Sequence, residues 1–171
     1  MPESGVNATA AALLGLLHDG PMTGGQLMAE AERRLGAYWS MTRSQVYREL
    51  PALAQLGYVR LGKPGPRSSQ PYAITPAGRR AFARWLAAEP GREAVRNPVV
   101  LRAAFAKYQT PSSLASTYAE AVSYHTQALA EVRESVKAMR RDGEQDAAAA
   151  QEFAIGYHKA VLAWLRNAPT R

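Results

Sequence analysis

Six polar side chains crowd into seven consecutive positions: Thr42, Arg43, Ser44, Gln45, Tyr47 and Arg48. Their types match the edges of nucleic-acid bases and phosphates. Arginine spans the two acceptors of guanine or holds a phosphate, and glutamine pairs with adenine. Serine, threonine and tyrosine hydroxyls reach phosphates or base edges. Val46, Leu50 and Leu53 are interleaved with them at helical spacing. With those three turned inward, Ser44 and Arg48 point away from the core and Gln45 and Tyr47 flank them. Thr42 and Arg43 fall at the helix start, where unpaired backbone N–H groups favour phosphate. A second basic pair, Lys63 and Arg67, belongs to a stretch rich in Pro, Gly and Ser. Polar residues on an amphipathic helix are ordinarily just its solvated face. Here their order, the basic second cluster and the positive charge around them point together to a helix lying in a DNA groove.

Other chemistries find little support. The chain has no cysteine, which removes thiol catalysis, disulfides and thiolate metal sites. His18, His125 and His158 lack metal-ligand spacing, so no metal is expected. There is no Gly-rich phosphate loop and no nucleophile elbow. Glu120, Glu131, Glu134, Glu144 and Glu152 read as solvated helix faces. No enzymatic activity and no cofactor are expected. No run of about 18 apolar residues suggests a membrane span, and the N-terminus lacks a signal-like pattern. The expected location is the cytoplasm, with no membrane partner.

The charge distribution agrees with a nucleic-acid partner. The 171 residues carry a formal net charge of +7. Residues 1–88 hold ten basic and five acidic side chains, so +5 of that surplus lies in the first half. Apolar residues make up 47% and charged residues 20%, ordinary globular usage.

The elements needed to position these residues are legible as a succession of breaks and periods. A first helix spans about Asn7 to His18, with Val6, Ala10, Leu13 and Leu17 on one stripe, and stops at Asp19-Gly20-Pro21. Thr23-Gly-Gly-Gln26 and Thr42-Arg-Ser-Gln45 both have capping-box spacing, which places helix starts there. Leu27, Ala31 and Leu35 line the second helix, which Gly36 stops; the third ends at Leu56-Gly57. The period then changes to two: Val59 and Leu61 face inward around Arg60, and Tyr72 and Ile74 alternate likewise. Residues 64–70 join them, giving a hairpin with a basic tip. Thr75-Pro76 opens a fourth helix with Phe82, Trp85 and Leu86 on its apolar face.

The order of helices and hairpin is that of a winged helix-turn-helix, expected over residues 1–88. Residues 89–171 form a helical dimerisation domain in this reading, so the fold class is mainly α with a small β-hairpin. Asn97-Pro98 and Thr110-Pro111 repeat the cap-then-proline signal. From Ser112 to Arg141 there is no Gly or Pro. Tyr118, Val122, His125, Leu129, Val132, Val136 and Met139 follow steps of four and three, a heptad seam. It could pack in cis against the last helix, pack against a partner subunit, or be an ordinary amphipathic face; a mixture of the first two is favoured. His125 within it reads as a polar residue fixing register. After Gly143, Phe153, Tyr157, Ala160 and Trp164 give a similar stripe on the last helix.

Three stretches carry a family resemblance: Ser44-Gln45-Val46-Tyr47-Arg48-Glu49-Leu50, Leu53-Ala54-Gln55-Leu56-Gly57-Tyr58-Val59, and Pro71-Tyr72-Ala73-Ile74-Thr75-Pro76-Ala77-Gly78-Arg79. With Leu13-Leu14-Gly15-Leu16-Leu17, Gly20-Pro21-Met22-Thr23-Gly24 and Gly36-Ala37-Tyr38-Trp39-Ser40, they resemble the PadR family of transcription regulators over about residues 10–88. The remainder is similar to the subtype with a larger C-terminal helical domain. The resemblance implies a homodimer, usually a repressor, on a near-palindromic double-stranded operator, in some members released by a small molecule. It aligns Ser44, Gln45, Tyr47 and Arg48 with the DNA-reading helix and residues 64–70 with the wing. Two features depart from it. Pro51 interrupts the recognition helix, and Gly24-Gly25 stands where an aromatic is common, which predicts a looser helix start.

Trp39, Trp85 and Trp164 are candidates for stacking on a small aromatic effector, against the alternative of core or interface packing. The competing function is a winged-helix adaptor that binds proteins and not DNA.

Overall fold

The computed structural model describes residues 6–65, 70–92 and 95–168. The chain divides into two compact units, Met1–Gly91 and Arg92–Arg171.

In the first unit, α1 (Ala8–Leu16) is the central post. Its N-cap Asn7 accepts from the Ala10 N–H at 2.9 Å. The expected stripe Val6, Ala10, Leu13 and Leu17 is buried, and so are Ala11, Leu14 and Leu16. A helix apolar on most sides must be covered on most sides, and α2 (Gly24–Leu35), α3 (Arg43–Gln55) and α4 (Pro76–Ala87) all pack on α1. Leu27, Val46, Leu50 and Leu53 close the core. Each buried leucine contributes about 1.5–3 kcal/mol relative to exposure. A 3-10 turn, Leu17–Asp19, ends α1 ahead of Gly20 at φ +136°.

Strands β1 (Val59–Leu61) and β2 (Tyr72–Ile74) pair antiparallel, Val59 opposite Ile74 and Leu61 opposite Tyr72. Only Val59 faces fully inward. Leu61, expected inside, is exposed, because β1 is too short to carry a second residue over the core before the chain leaves it. The hairpin is tied to the rest of the unit by an unforeseen bridge. Met22 N–H donates to the Tyr72 carbonyl at 3.0 Å, and Tyr72 N–H to that of Met22 at 2.8 Å.

The turn into α4 makes a closer joint. Thr75 donates its hydroxyl to the Gly57 carbonyl at 2.7 Å, and its N–H donates to the Tyr58 carbonyl at 3.0 Å. The same hydroxyl oxygen caps α4 by accepting from Gly78 N–H at 3.1 Å. Gly78 is pressed so tightly on that carbonyl that a Cβ there would sit 2.1 Å from the Tyr58 oxygen. Phe82 and Trp85 of α4 pack on the core as expected. Leu86 does not; it is exposed at the last turn, beyond the reach of α1.

In the second unit, α5 (Pro98–Ala104), a 3-10 turn (Ala106–Tyr108), α6 (Pro111–Arg141) and α7 (Gln145–Leu165) follow in order. Asn97 and Thr110 cap α5 and α6 ahead of their prolines. α6 and α7 form an antiparallel hairpin turned at Gly143, φ +81°. The seam of α6 is spent in cis on α7: Tyr118, His125, Leu129, Val132, Val136 and Met139 are buried. Val122 is the exception at 42% exposure, with Ala121 buried in its place. The stripe expected on α7 is displaced. Phe153 is exposed, and Gln151, Ala154, His158, Val161 and Leu165 are the buried residues. The shift of about one position brings His158 to His125, with their Nδ1 atoms 2.8 Å apart. Among the described residues no helix is long and apolar enough to cross a membrane.

Candidate nucleic-acid interface

The sequence makes α3 a helix with two opposed faces. Val46, Leu50 and Leu53 are at most 1% exposed against α1. Thr42, Arg43, Ser44, Tyr47 and Arg48 are exposed on the opposite side, over the first turns. The start of α3 is fixed by the capping box read in the sequence. Thr42 Oγ1 accepts from Gln45 N–H at 3.2 Å, and Gln45 Oε1 accepts from Thr42 N–H at 2.8 Å and from the Thr42 hydroxyl at 3.1 Å. Gln45 is therefore half-buried and turned back on its own helix, with its amide oxygen occupied. α2 has the same box: Gln26 Oε1 accepts from Thr23 N–H at 2.8 Å.

Tyr47 has a neighbour that sequence reasoning missed. Its ring lies against Gly24 at the first turn of α2, where a Cβ would meet the Tyr47 Cζ and Oη at 3.1 Å. The Arg43 guanidinium lies over the same ring, 5.9 Å from its centroid. Gly24 thus supplies room for a ring that braces an arginine, a cation–π contact of about 0.5–1 kcal/mol at exposed sites. Gly25, with no heavy atom within 4 Å of such a Cβ, has no comparable role.

The positive surplus is more concentrated than the residue count suggested. Arg33 and Arg34 are taken up by acids of the same unit. Arg33 Nη2 donates to Glu30 Oε1 at 2.6 Å. Arg34 pairs with Glu30 and, at 2.6 Å, with Asp19. The hydrogen bond from Arg33, aided by the charge of Arg34, holds the Glu30 carboxyl below its usual range. Arg43, Arg60 and Lys63 have no acidic partner among the described residues. Arg48 meets Glu49 at 3.3 Å with its own side chain 70% exposed, a pair of small energy. Lys63 is exposed just after β1. Arg67 lies outside the described residues.

Pro51 occupies the exposed side of α3, and the helix runs through it from Arg43 to Gln55. Its missing N–H leaves the Tyr47 carbonyl without a helical partner. The turn that carries Ser44 and Arg48 lies before it and keeps its own cap.

The three tryptophans occupy separate surroundings. Trp85 stacks on Phe82 in the core of the first unit, centroids 6.5 Å apart. Trp164 packs edge-on to Tyr118 in the second. Trp39, between α2 and α3, is 42% exposed.

Residues 13–84 match the family model described as the transcriptional regulator PadR-like family. Over 168 residues the chain is 23% identical to the negative transcriptional regulator PadR of Bacillus subtilis strain 168, covering 91% of this chain and 92% of that one. The solved structure of Bacillus subtilis PadR with operator DNA superposes with a TM-score of 0.76 at 22% identity, covering 94% of this chain and 96% of the other. The same protein with p-coumaric acid gives 0.72 at 22% identity, covering 92% and 91%. At these identities the structural likeness speaks for the fold.

Proposed function

Because residues 13–84 match the PadR-like family of transcriptional regulators and the chain resembles PadR of Bacillus subtilis along most of its length, we propose that it is a regulator of this kind and represses transcription as a homodimer. In this reading each copy sets α3 into the major groove of one half of a near-palindromic operator. The reading rests on one observation above all: a capped helix start presents Arg43, Ser44, Tyr47 and Arg48 outward, while the opposite face is sealed in the core. Such a start meets base edges with its first turns. Arg48 and Ser44 are the readers; Thr42 and Arg43 hold phosphate. Tyr47 is both contact and brace. Gln45 serves by fixing the helix start, since its oxygen is already committed. Lys63 and Arg67 take the flanking backbone. The protein works where the chromosome is, in the cytoplasm. The Bacillus subtilis relative has been solved with p-coumaric acid, and this protein is proposed to leave its operator when a small aromatic molecule binds. Of the three tryptophans, Trp39 is the most exposed and so the most open to such a ligand; Trp85 and Trp164 serve mainly as packing.

The test is a binding titration on DNA from upstream of the protein's own gene across a salt series. Saturable, sequence-dependent binding that weakens steeply with salt is expected. Salt-independent or absent binding would leave the adaptor reading. The brace can be tested in the same assay. Gly24→Ala forces the Tyr47 ring to shift by a few tenths of an ångström and should weaken operator binding by up to about two- to fivefold. Gly25→Ala should leave binding unchanged.

The second unit offers a surface for the twin. Leu101, Phe105 and Tyr108, on and just after α5, are 63%, 54% and 74% exposed. Apolar side chains grouped on one short segment are a normal mark of an interface. The double change Leu101→Asp and Phe105→Asp should convert the dimer to monomer in light scattering and weaken operator binding with it. A dimer that persists unchanged would move the interface elsewhere.

A further inference from the structure

The seam between α6 and α7 is broken by a pair of like groups. His125 comes from α6 and His158 from α7; each is 5% exposed, and their Nδ1 atoms lie 2.8 Å apart. Two tyrosines flank the rings. Tyr124 stands edge-on at 5.0 Å from His125 and 6.3 Å from His158, and Tyr157 at 5.9 Å and 5.5 Å. The pair divides the apolar packing of the hairpin in two. Leu114, Tyr118, Ala121, Val161 and Leu165 cluster at its open end, where Val99 and Ala103 of α5 pack on them. Leu129, Val132, Val136 and Met139 are buried on the other side, toward the turn at Gly143.

The four ring nitrogens fix what protons can do here. In the neutral pair one Nδ1–H donates to the other Nδ1. The acceptor ring therefore carries its hydrogen on Nε2, and the donor ring keeps a lone pair at its own Nε2. A first added proton goes to that lone pair. The bond between the rings survives it and becomes charge-assisted. A second proton finds only the accepting Nδ1. Both Nδ1 atoms then carry hydrogen, the bond is lost, and two like charges face each other out of water.

The surroundings resist those charges. Burial holds both rings below the usual histidine range, and a charge on His158 lowers His125 further. The pair is neutral near pH 7. The charged and titratable groups facing it are Arg102 from α5, Glu120 and Tyr124 from α6, and Tyr157 from α7. Arg102 adds a positive charge. Glu120 is exposed and accepts from Ser116 Oγ at 3.1 Å. Among the described residues no acid is hydrogen-bonded to either ring.

We propose that His125 and His158 form an acid-sensitive latch: neutral, it fastens α6 to α7, and doubly protonated, it releases the open end of the hairpin. The unfolded chain protonates both rings as pH falls below about 6.5, while the folded pair resists. The stability that the latch contributes is complete above that pH and is lost as pH falls below it. Release acts on the cluster that seats α5, beside the exposed Leu101 and Phe105. A loosened α5 weakens contact with a twin, so acid should lower operator affinity. Only that last step rests on the homodimer reading above.

The test is hydrogen exchange on the full-length protein at pH 7 and pH 5.5, with rates corrected for the intrinsic effect of pH. Acid should cut the protection of residues 114–125 and 157–165 about five- to fiftyfold, and that of residues 129–141 less. The double variant His125→Gln with His158→Gln, whose amides can meet across the seam without titrating, should show no such loss. Proton NMR of the unaltered protein gives a second reading that needs no variant. Two of the three histidines should titrate below the usual range, in coupled steps. Protection indifferent to acid, an equal loss in the double variant, or fewer than two such histidines would each overturn the proposal. Operator affinity is measured separately at the two pH values. A fall of about tenfold that the double variant lacks is expected. Lost protection with constant operator affinity leaves the latch standing and removes α5 from the proposed contact between twins.

Discussion

Gly78→Ala should lower the stability of the first unit by about 3 kcal/mol or more. That is a fall of roughly 10–20 °C in Tm for a domain of this size. Within a helix the exchange of glycine for alanine ordinarily stabilises, by about 0.5–1 kcal/mol. Here the sign reverses because the added carbon would lie 2.1 Å from the Tyr58 carbonyl oxygen and 2.9 Å from Ile74 Cγ1. Neither neighbour can yield easily. The Tyr58 oxygen is held by Thr75 N–H at 3.0 Å and lies at the root of the hairpin. Relief requires α4 to lift from β1, which would uncover Phe82 and Trp85. Thermal or urea unfolding measures the effect directly, with Gly25→Ala as the helical glycine that has open space. A Gly78→Ala protein as stable as its parent would mean that α4 does not close on the hairpin as described.

Arg48→Ala should weaken operator binding by about 1–3 kcal/mol per head, roughly five- to 150-fold, with no loss of stability. The side chain is 70% exposed, and its contact with Glu49 is a surface pair that helps folding little. The pattern of loss identifies the role. If Arg48 grips a guanine, discrimination relaxes at one position of each half-site. If it grips a phosphate, binding falls evenly across sequences and the salt slope decreases by about one. Unchanged affinity would remove α3 from the DNA and favour the adaptor reading.

What the sequence made legible was mostly short-range. Thr23 with Gln26, Thr42 with Gln45, and Thr75 with Gly78 are three residues apart, a distance at which a side chain and a backbone N–H have few alternatives. The order of helices and hairpin follows from those starts and from the glycines and prolines that stop them. The phase of a second apolar stripe is harder to read, because it depends on what lies opposite. α7 shows this: Phe153 has the apolar character of a core residue, yet the buried line passes through Gln151 and His158, set by the demand of His125 on α6. Leu61 and Leu86 miss the core because their elements end before reaching it. Long-range steric demands left no local mark. Gly24 read as a weakness, and its use appears only once Tyr47 is laid across it. Charge counting likewise included Arg33 and Arg34 before Glu30 and Asp19 could be seen to occupy them.

Pro51 carries a consequence for how much information one head can extract. At Pro51 the exposed side of α3 offers a ring without a donor, and one turn earlier the Tyr47 carbonyl is left unmatched. In the proposed reading contact is made by the opening turns, enough for a word of about three or four base pairs. Such a word recurs by chance about every 60 to 250 base pairs, far too often to mark a single promoter among roughly a million competing sites. The vocabulary of this helix is too small for it to act alone; addressing one locus requires two heads spelling together, and the spacing between them is itself a letter of the message.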